Sequence, residues 1–465
     1  MQGKSLFILT IMIALAGVTT LFAQEEIFFL GEETGIGARA MGMGGAFLGV
    51  ADDYSAIYWN PAGLGQLRRM EMNIGFSHNK YANNATFLAT DMKGETSFTR
   101  LNSIGFVFPV PTYQGSLVFG VGYNKIRDFD TALEITGFNK DYTAYADNVM
   151  PIWGDEYATD IYGDLQQDES IIEEGSLNQF TLSGALEVQK NVMLGASLNF
   201  IGGKDDYNLK FIESDIYDYY NTPPYDDSLG YRILSDLNNW VFDQSIVSDF
   251  SAASLKMGVL YQMNRAIRLG ATVVFPTQYS INESWSQTIT ETYDLADEQY
   301  VDEQSGEGIK YKFVEPYALA VGGSFKLINI LLSGSVEFKD WTQAKFKTDA
   351  PSYGVSKADI NSKIKKELQS VTRIRLGAEV YVPVIKARVR AGYYNDPSAY
   401  KYTNVTPDKE YLTAGASLML DKQVMVDFGL THGSWERETT DNLTYSPTLE
   451  KVTFNKLVGT LSIRF

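Results

Sequence analysis

From Arg69 to Phe465 the chain divides into fourteen segments of about ten residues in which apolar side chains recur at every second position, the period of a strand with one apolar face. They lie near Met70 to Ala89, Asn102 to Val110, Gly115 to Lys125, Leu177 to Gln189, Val192 to Gly203, Ala252 to Met263, Ile267 to Tyr279, Phe313 to Leu327, Ile330 to Lys339, Thr372 to Val382, Ile385 to Asn395, Glu410 to Leu420, Gln423 to Gly433 and Lys451 to Phe465. In the twelfth, Leu412, Ala414, Ala416, Leu418 and Leu420 share one face, and Tyr411, Thr413, Gly415 and Ser417 the other. A soluble sandwich alternates in the same way, so the period alone does not choose between sandwich and barrel. The connections do. Tight turns at Pro111 to Gln114, Lys190-Asn191, Asn264 to Ala266, Ile328-Asn329, Pro383-Val384 and Asp421-Lys422 alternate with long links, of which Arg127 to Ser176, Asp205 to Phe250, Ser280 to Lys312 and Asp340 to Ser370 are the longest. Short turns at one rim and long loops at the other are the pattern of a transmembrane antiparallel β-barrel with an even strand count. The sequence therefore predicts an all-β barrel of about fourteen strands over residues 69–465, ending in the amphipathic Leu461-Ser462-Ile463-Arg464-Phe465.

The rest of the chain fits a route across the inner membrane. Lys4, the apolar run Leu6 to Phe22 and Ala23-Gln24 form a secretory signal peptide over residues 1–23. No later apolar run reaches the ~20 residues of a spanning helix, which leaves strands as the only means of insertion. The expected location is the bacterial outer membrane, with the lipid bilayer as a partner.

Charge and composition exclude several functions. With 39 Lys plus Arg against 57 Asp plus Glu the net charge is −18, which repels nucleic acid. Acidic residues concentrate in the long links: 13 against 2 basic in Arg127 to Ser176, 10 against 2 in Asp205 to Phe250, and 8 against none in Glu283 to Gly308. These read as solvated outer loops, and no calcium-loop spacing supports a metal role. Cysteine is absent and histidine is limited to His78 and His432, so thiol chemistry, cysteine–metal sites and multi-histidine centres are excluded. Neither histidine has a nucleophile beside it, His432 continuing the apolar row Val424, Val426, Phe428, Leu430. No catalytic residue, metal or cofactor is expected, and the chain does not read as an enzyme.

Between signal and barrel, residues 24–68 are rich in Gly and Ala: Gly35 to Phe47, including Gly42, Gly44 and Gly45, then Ala51-Asp52-Asp53, then Tyr58-Trp59-Asn60-Pro61-Ala62. Such density suits backbone pressed against a wall, and a plug of this size fills the lumen that a wide barrel leaves open. Asp53 is placed to cap a short helix through Ser55 to Trp59, which Pro61 ends by disfavouring helical geometry at Asn60. A further short helix is expected over Lys357 to Gln369.

These motifs resemble the FadL/TodX family of outer-membrane transporters of hydrophobic compounds. Gly37-Ala38-Arg39-Ala40-Met41-Gly42-Met43-Gly44-Gly45-Ala46-Phe47, Ala51-Asp52-Asp53 and Asn60-Pro61-Ala62 resemble its N-terminal hatch, Trp341-Thr342-Gln343 its Trp-Ser motif, and Ala414 to Gly433 its penultimate hairpin. The resemblance implies a fourteen-stranded barrel plugged by the hatch, and passive uptake of long-chain fatty acids or aromatic hydrocarbons. Outer loops would catch the molecule and a kink in the third strand would release it sideways. The hatch also resembles PorV-like relatives, which implies the alternative of a scaffold or partner in protein secretion. For a ligand, the basic row Lys386, Arg388, Arg390 of the eleventh strand turns inward because Ala387, Val389 and Ala391 face lipid, and Glu379 is expected opposite Arg388. Either these charges form cross-strand ion pairs, or Arg375, Arg390 or Lys204 meets a substrate carboxylate, with Tyr219, Tyr220 and Trp240 as aromatic contacts in the outer loops. Protease added to intact cells is expected to nick the acidic links and spare the tight turns; cleavage at Asp421-Lys422 would reverse the assigned topology.

Overall fold

The computed structural model describes residues 32–33, 35–153, 157–294, 298–349, 356–402, 406–441 and 443–465. The signal segment 1–23 and the first residues of the 24–68 segment lie outside the described residues. Fourteen antiparallel strands form the wall: β1 (Glu71–Phe87), β2 (Thr90–Val110), β3 (Leu117–Asp128, resumed at Thr131–Asn139), β4 (Leu165–Gln189), β5 (Val192–Ser214), β6 (Asn239–Gln262) and β7 (Ile267–Val274, resumed at Thr277–Tyr293). The second half comprises β8 (Glu298–Glu315, resumed at Ala318–Leu327), β9 (Ile330–Asp340), β10 (Ser370–Val382), β11 (Ala387–Asp396), β12 (Lys409–Met419), β13 (Val424–Thr439) and β14 (Thr448–Arg464). Pairing of β14 with β1, Arg464 opposite Glu71 through Leu449 opposite Thr86, closes the cylinder. The alternation of the sequence becomes two surfaces. Phe119, Val121, Phe180, Leu182, Leu194, Leu198, Leu319, Val321, Leu412, Leu430 and Leu457 are exposed on the outside, and Asn73, Ser77, Asn124, Thr181, Ser197 and Asn199 are buried on the inside. A closed barrel with an apolar outer belt leaves no lipid-facing edge unpaired.

Two expectations about the connections need correction. The strict alternation of short and long links fails at the first outer turn, where Leu88 and Ala89 alone join β1 to β2, both with positive φ. Neither is the Gly or Asn that usually marks such a turn, so the hairpin left no local signal. The second error concerns the acidic links, which are largely strand. β4, β5, β6, β7 and β8 continue well past the apolar belt, as the pairings of Asn239 to Asp249 with Ser214 to Lys204 and of Asn239 to Asp249 with Thr292 to Asn282 show. Their two faces there are water and an aromatic interior, so the contrast of the lipid-facing stretches is lost. The interior of this cap is built on Trp240, Phe211, Phe242, Tyr145, Leu237, Ile289 and Tyr293.

Residues 35–67 lie inside the barrel and are almost wholly buried. Two short helices, Ala38–Gly42 and Ala56–Trp59, and a 3-10 turn, Pro61–Gln66, make up this segment. Asn60 is extended before Pro61, as expected, but the helix begins at Ala56 with Ser55 at its N-cap, and Asp53 Oδ1, accepting from Ser55 N at 2.9 Å, closes the turn that precedes it instead of capping the helix itself. Asn60 also joins hatch to wall, donating to Leu48 O at 3.0 Å and Val259 O at 3.1 Å while accepting from Ala62 N. Gly44 has φ +63° and lies so close to β10 and β11 that a Cβ would sit 2.7 Å from Tyr393 O, and the wall answers with Gly377 and Gly392. Backbone approaches this close leave room for hydrogen only.

Charge fixes the contact. Arg39 donates to Glu379 at 2.9 and 3.1 Å and pairs with Asp52 and Asp53, while Asp52 also pairs with Arg268 at 3.3 Å. Arg390 lies opposite Glu379, not Arg388, because four residues rather than two turn between β10 and β11. It pairs with Glu379 at 2.7 Å and Asp427 at 2.8 Å and donates to Ser417. Above the belt, Glu169 of β4 is buried with neither carboxylate oxygen receiving a donor, and burial with the Asp441 and Glu450 charges holds its pKa well above the usual range.

Arg390→Ala should destabilise the barrel by roughly 3–5 kcal/mol, because Glu379 and Asp427 stay buried with less compensation; a urea unfolding series in detergent checks this. Glu169 keeps its proton in the fold but loses it in the unfolded chain above the ordinary value of 4.5, so cap stability falls as pH rises from there towards the folded pKa. Glu169→Gln should flatten that fall, read as hydrogen exchange of the β4 extension across the same pH range.

Candidate functional site

The hatch leaves space above it. A cavity of about 110 Å³ is floored by Leu48, Ile57, Tyr58 and Trp59 of the hatch and walled by Ile126, Ile201, Val274, Tyr279, Ala318 and Ala320. Continuous with it is an apolar cluster, Phe129, Leu177, Phe250, Ile281, Tyr311, Phe313 and Phe346, roofed by Ile360 and Ile364 of the helix Lys357–Glu367. Phe129 and Phe250 stack with ring centroids 5.6 Å apart. The roof helix falls within the expected Lys357 to Gln369 span, capped by Ser356 on Asp359 N.

One side of this chamber is charged. Glu33, from a two-residue strand Glu32–Glu33 that pairs with Asp128 and Arg127 of β3, lies among four cations: Arg373 at 2.6 Å, Lys339 at 3.5 Å, Arg127 at 3.6 Å and Arg375 at 3.9 Å. Glu315 pairs with Arg127 at 2.7 Å and Lys339 at 2.8 Å, and Glu337 with Arg373 at 3.2 Å and Arg375 at 3.3 Å. Each of these buried cations therefore has acidic neighbours, as burial of charge demands. Lys256 of β6 differs. Its ammonium lines the cavity, donates to Tyr58 O at 2.6 Å and lies 4.8 Å from the Tyr58 ring centroid, but it makes no ion pair among the described residues. A cation whose partners are a carbonyl and a ring retains capacity for an anionic or carbonyl group in the cavity.

The chamber meets the wall where β3 is broken. β2 and β3 share a ladder only from Ser103–Asn124 to Val110–Leu117, and above that level β2 is paired with β1 alone. The register of β3 on β4 shifts between Lys125 and Arg127, and the strand is interrupted at Phe129-Asp130. Side chains bridge the gap instead of backbone: Arg100 of β2 reaches Asp128 and Asp130, Lys125 reaches Asp128 at 2.5 Å, and Asn79 of β1 also donates to Asp128. A kink in the third strand is thus present, sealed by ion pairs and by Phe129.

The sequence-derived site residues do not come together. Arg375 lines the cavity and contacts Glu337. Arg390 lies outside the cavity lining and is engaged with Glu379, Asp427 and Ser417, its Nη1 alone being left without a partner. Lys204 is on the outer face of β5, half-exposed and paired with Asp206 at 2.7 Å, so it does not face the lumen. Trp240 is buried in the cap core, Tyr220 donates to Gly163 O, and Tyr219 is exposed beside Tyr217. The hatch residues Gly42, Gly44, Gly45, Asp52, Asp53, Asn60, Pro61 and Ala62 do form one body against the wall. Sequence reasoning missed Lys256 and Glu33. Lys256 had a usable signal, since Ser254, Lys256 and Gly258 alternate with Leu255, Met257 and Val259.

Comparison with known proteins agrees with this fold. Residues 17–455 match the family model described as outer membrane protein transport protein (OMPP1/FadL/TodX). No curated protein matches the chain in sequence. Among solved structures, the Pseudomonas putida toluene transporter TodX is 13% identical, with 93% of this chain and 99% of that one covered and a TM-score of 0.59. The Ralstonia pickettii toluene transporter TbuX is 15% identical, with coverage of 93% and 98% and a TM-score of 0.54. A Pseudomonas aeruginosa FadL homologue is 13% identical, with coverage of 94% and 99% and a TM-score of 0.56.

Proposed function

The chain belongs to the OMPP1/FadL/TodX family of outer membrane transport proteins, and from that premise we propose that it admits hydrophobic molecules passively into a chamber above the hatch, apolar on one side and charged on the other, and releases them sideways through the β3 break. The observation that carries this reading is the continuity of the cavity with the aromatic cluster and of that cluster with Phe129, which stands in the break itself. Burying a hydrocarbon tail there is favourable by roughly 25 cal/mol per Å² of apolar area, and no covalent step is required. The hatch closes the lumen below, its residues bonded to the wall by Arg39, Asn60 and Glu71, which accepts from Tyr54 N at 3.0 Å. Molecules that enter the chamber therefore find the side wall a shorter way out than the floor.

For a ligand with a carboxylate head, Lys256 is the cavity cation that makes no ion pair among the described residues, Arg375 lines the same cavity beside Glu337, and Arg390 lies outside the lining. Lys256→Met with Arg375→Met should weaken oleate binding by at least about tenfold more than toluene binding, the worth of one charge-assisted hydrogen bond. Titration of the detergent-purified protein with both molecules is the measurement. An equal loss for both would remove the head-group role, and no binding of either would remove the transport reading.

A further inference from the structure

The wall is interrupted a second time, four strands further round. β7 stops at Val274 and resumes at Thr277, and β8, running the other way, stops at Glu315 and resumes at Ala318. The register is the same on both sides, Thr277 opposite Glu315 and Val274 opposite Ala318, so Pro276 lies opposite Pro316 and Phe275 opposite Tyr317. A proline has no N–H to give to a ladder and is normally confined to edges and bulges. Two of them facing each other inside the wall leave neither strand a donor at that level.

The neighbouring ladder is thinned as well. Between β6 and β7 the pairing passes from Ala253–Gln278 to Lys256–Val274, with the single bond Phe275 N to Leu255 O at 3.0 Å in between. Leu269 and Phe275 on β7 and Leu319 and Val321 on β8 are exposed, which puts the break at the upper margin of the apolar belt. Directly behind it, Val274, Thr277, Pro316 and Ala318 line the lumenal cavity, with Lys256 beside them. Only the thickness of an unladdered backbone separates that cavity from the outer face. The two breaks also differ in chemistry. Arg100, Lys125, Asp128 and Asp130 tie the β3 gap together by ion pairs, whereas beside the prolines β7 and β8 are joined by a single side-chain hydrogen bond, Tyr279 Oη to Glu315 at 3.2 Å, and by no ion pair among the described residues.

We propose that the opposed-proline break between β7 and β8 is a second side portal, through which uncharged hydrocarbons dissolved in the outer leaflet reach the lumenal cavity without crossing the β3 gap. The inference rests on the transport reading above. Its residues, Phe275, Pro276, Pro316 and Tyr317, present carbon and ring surface and no charged side chain, so the class that gains from this path is the molecule without an ionised head. A backbone lacking the ladder bonds at one level costs less to part than an intact wall, and proline fixes the kink that keeps it so.

The chain contains no cysteine, so a disulfide can be placed without side products. Phe275→Cys with Tyr317→Cys bridges the break and leaves both prolines in place; Ala271→Cys with Val321→Cys, opposite each other in the intact ladder below, is the control. Both are reconstituted in nanodiscs, oxidised and reduced, with strand content matched by circular dichroism, and toluene uptake is read as the rate at which toluene reaches the cavity, from the fluorescence of Trp59 in its lining against a Trp59→Phe background, because toluene crosses a bare bilayer unaided. Oxidation of the Phe275→Cys, Tyr317→Cys protein should slow toluene uptake several-fold, reduction should restore it, and the control should be indifferent. As a variant without a crosslink, Pro276→Val with Pro316→Val returns two N–H donors to the ladder and should slow toluene uptake in the same way. Toluene uptake undiminished by the oxidised bridge and by the valine pair would overturn the portal while sparing transport. A wild-type protein that admits no toluene would overturn both.

Discussion

A backbone surrounded by hydrocarbon has no water to satisfy its N–H and C=O groups, so every group at the level of the membrane must find its partner in the next strand, and the strand row must close. The pairing of β14 with β1 is that closure, and the rest of the molecule depends on it. It obliges strands to alternate an apolar outer row with an inner row that is free to be polar, which is why serine, threonine and asparagine line the inside at Asn73, Ser77, Asn124, Thr181 and Ser197. It also gives meaning to interruptions. Where the ladder fails, at Phe129-Asp130 and at the opposed prolines 276 and 316, the cost of unpaired backbone is accepted at two places that both adjoin the cavity.

The lumen of such a barrel is a polar container that must be filled, and the hatch fills it by two unlike means. Glycines on both sides, Gly44 against Gly377 and Gly392, bring backbone against backbone, and a chain of alternating charges, Asp52, Arg39, Glu379, Arg390 and Asp427, locks the orientation. Charge used in this way is not available to a ligand. That is why the inward basic residues divide into those committed to the wall, such as Arg390, and those at the cavity, where Glu33 occupies the centre of four cations and Lys256 holds only a carbonyl and a ring.

Much of this was legible because it rests on local repetition. The two-residue period of the lipid-facing stretches, the hatch motif and the Asn60-Pro61 boundary are written in consecutive residues, and the helix Lys357–Glu367 in the spacing of Ile360 and Ile364. The cap was not legible. Where β4 to β8 rise out of the lipid, a strand no longer needs an apolar outer row, so an acidic, tyrosine-rich sequence reads as a loop although much of its backbone is laddered. The Leu88-Ala89 turn was hidden for a related reason, since pairing along the whole of β1 and β2 holds two side-chain-bearing residues at positive φ that they would not choose alone.

By itself, then, the sequence determined that this chain is a membrane barrel of fourteen strands with its N-terminal segment inside, because those properties follow from the order of apolar and polar residues along a strand. Which inward charges are paired, and where the ladder of the wall is interrupted, only the tertiary structure decided. Lys204 faces outward because strand phase carries it there, and Glu379 meets Arg390 because four residues, not two, make the turn between β10 and β11. Pro276 and Pro316 are forty residues apart in the chain, and nothing local to either marks the other. Registers join residues that are distant in sequence, and a ladder that closes on itself fixes all of its registers together.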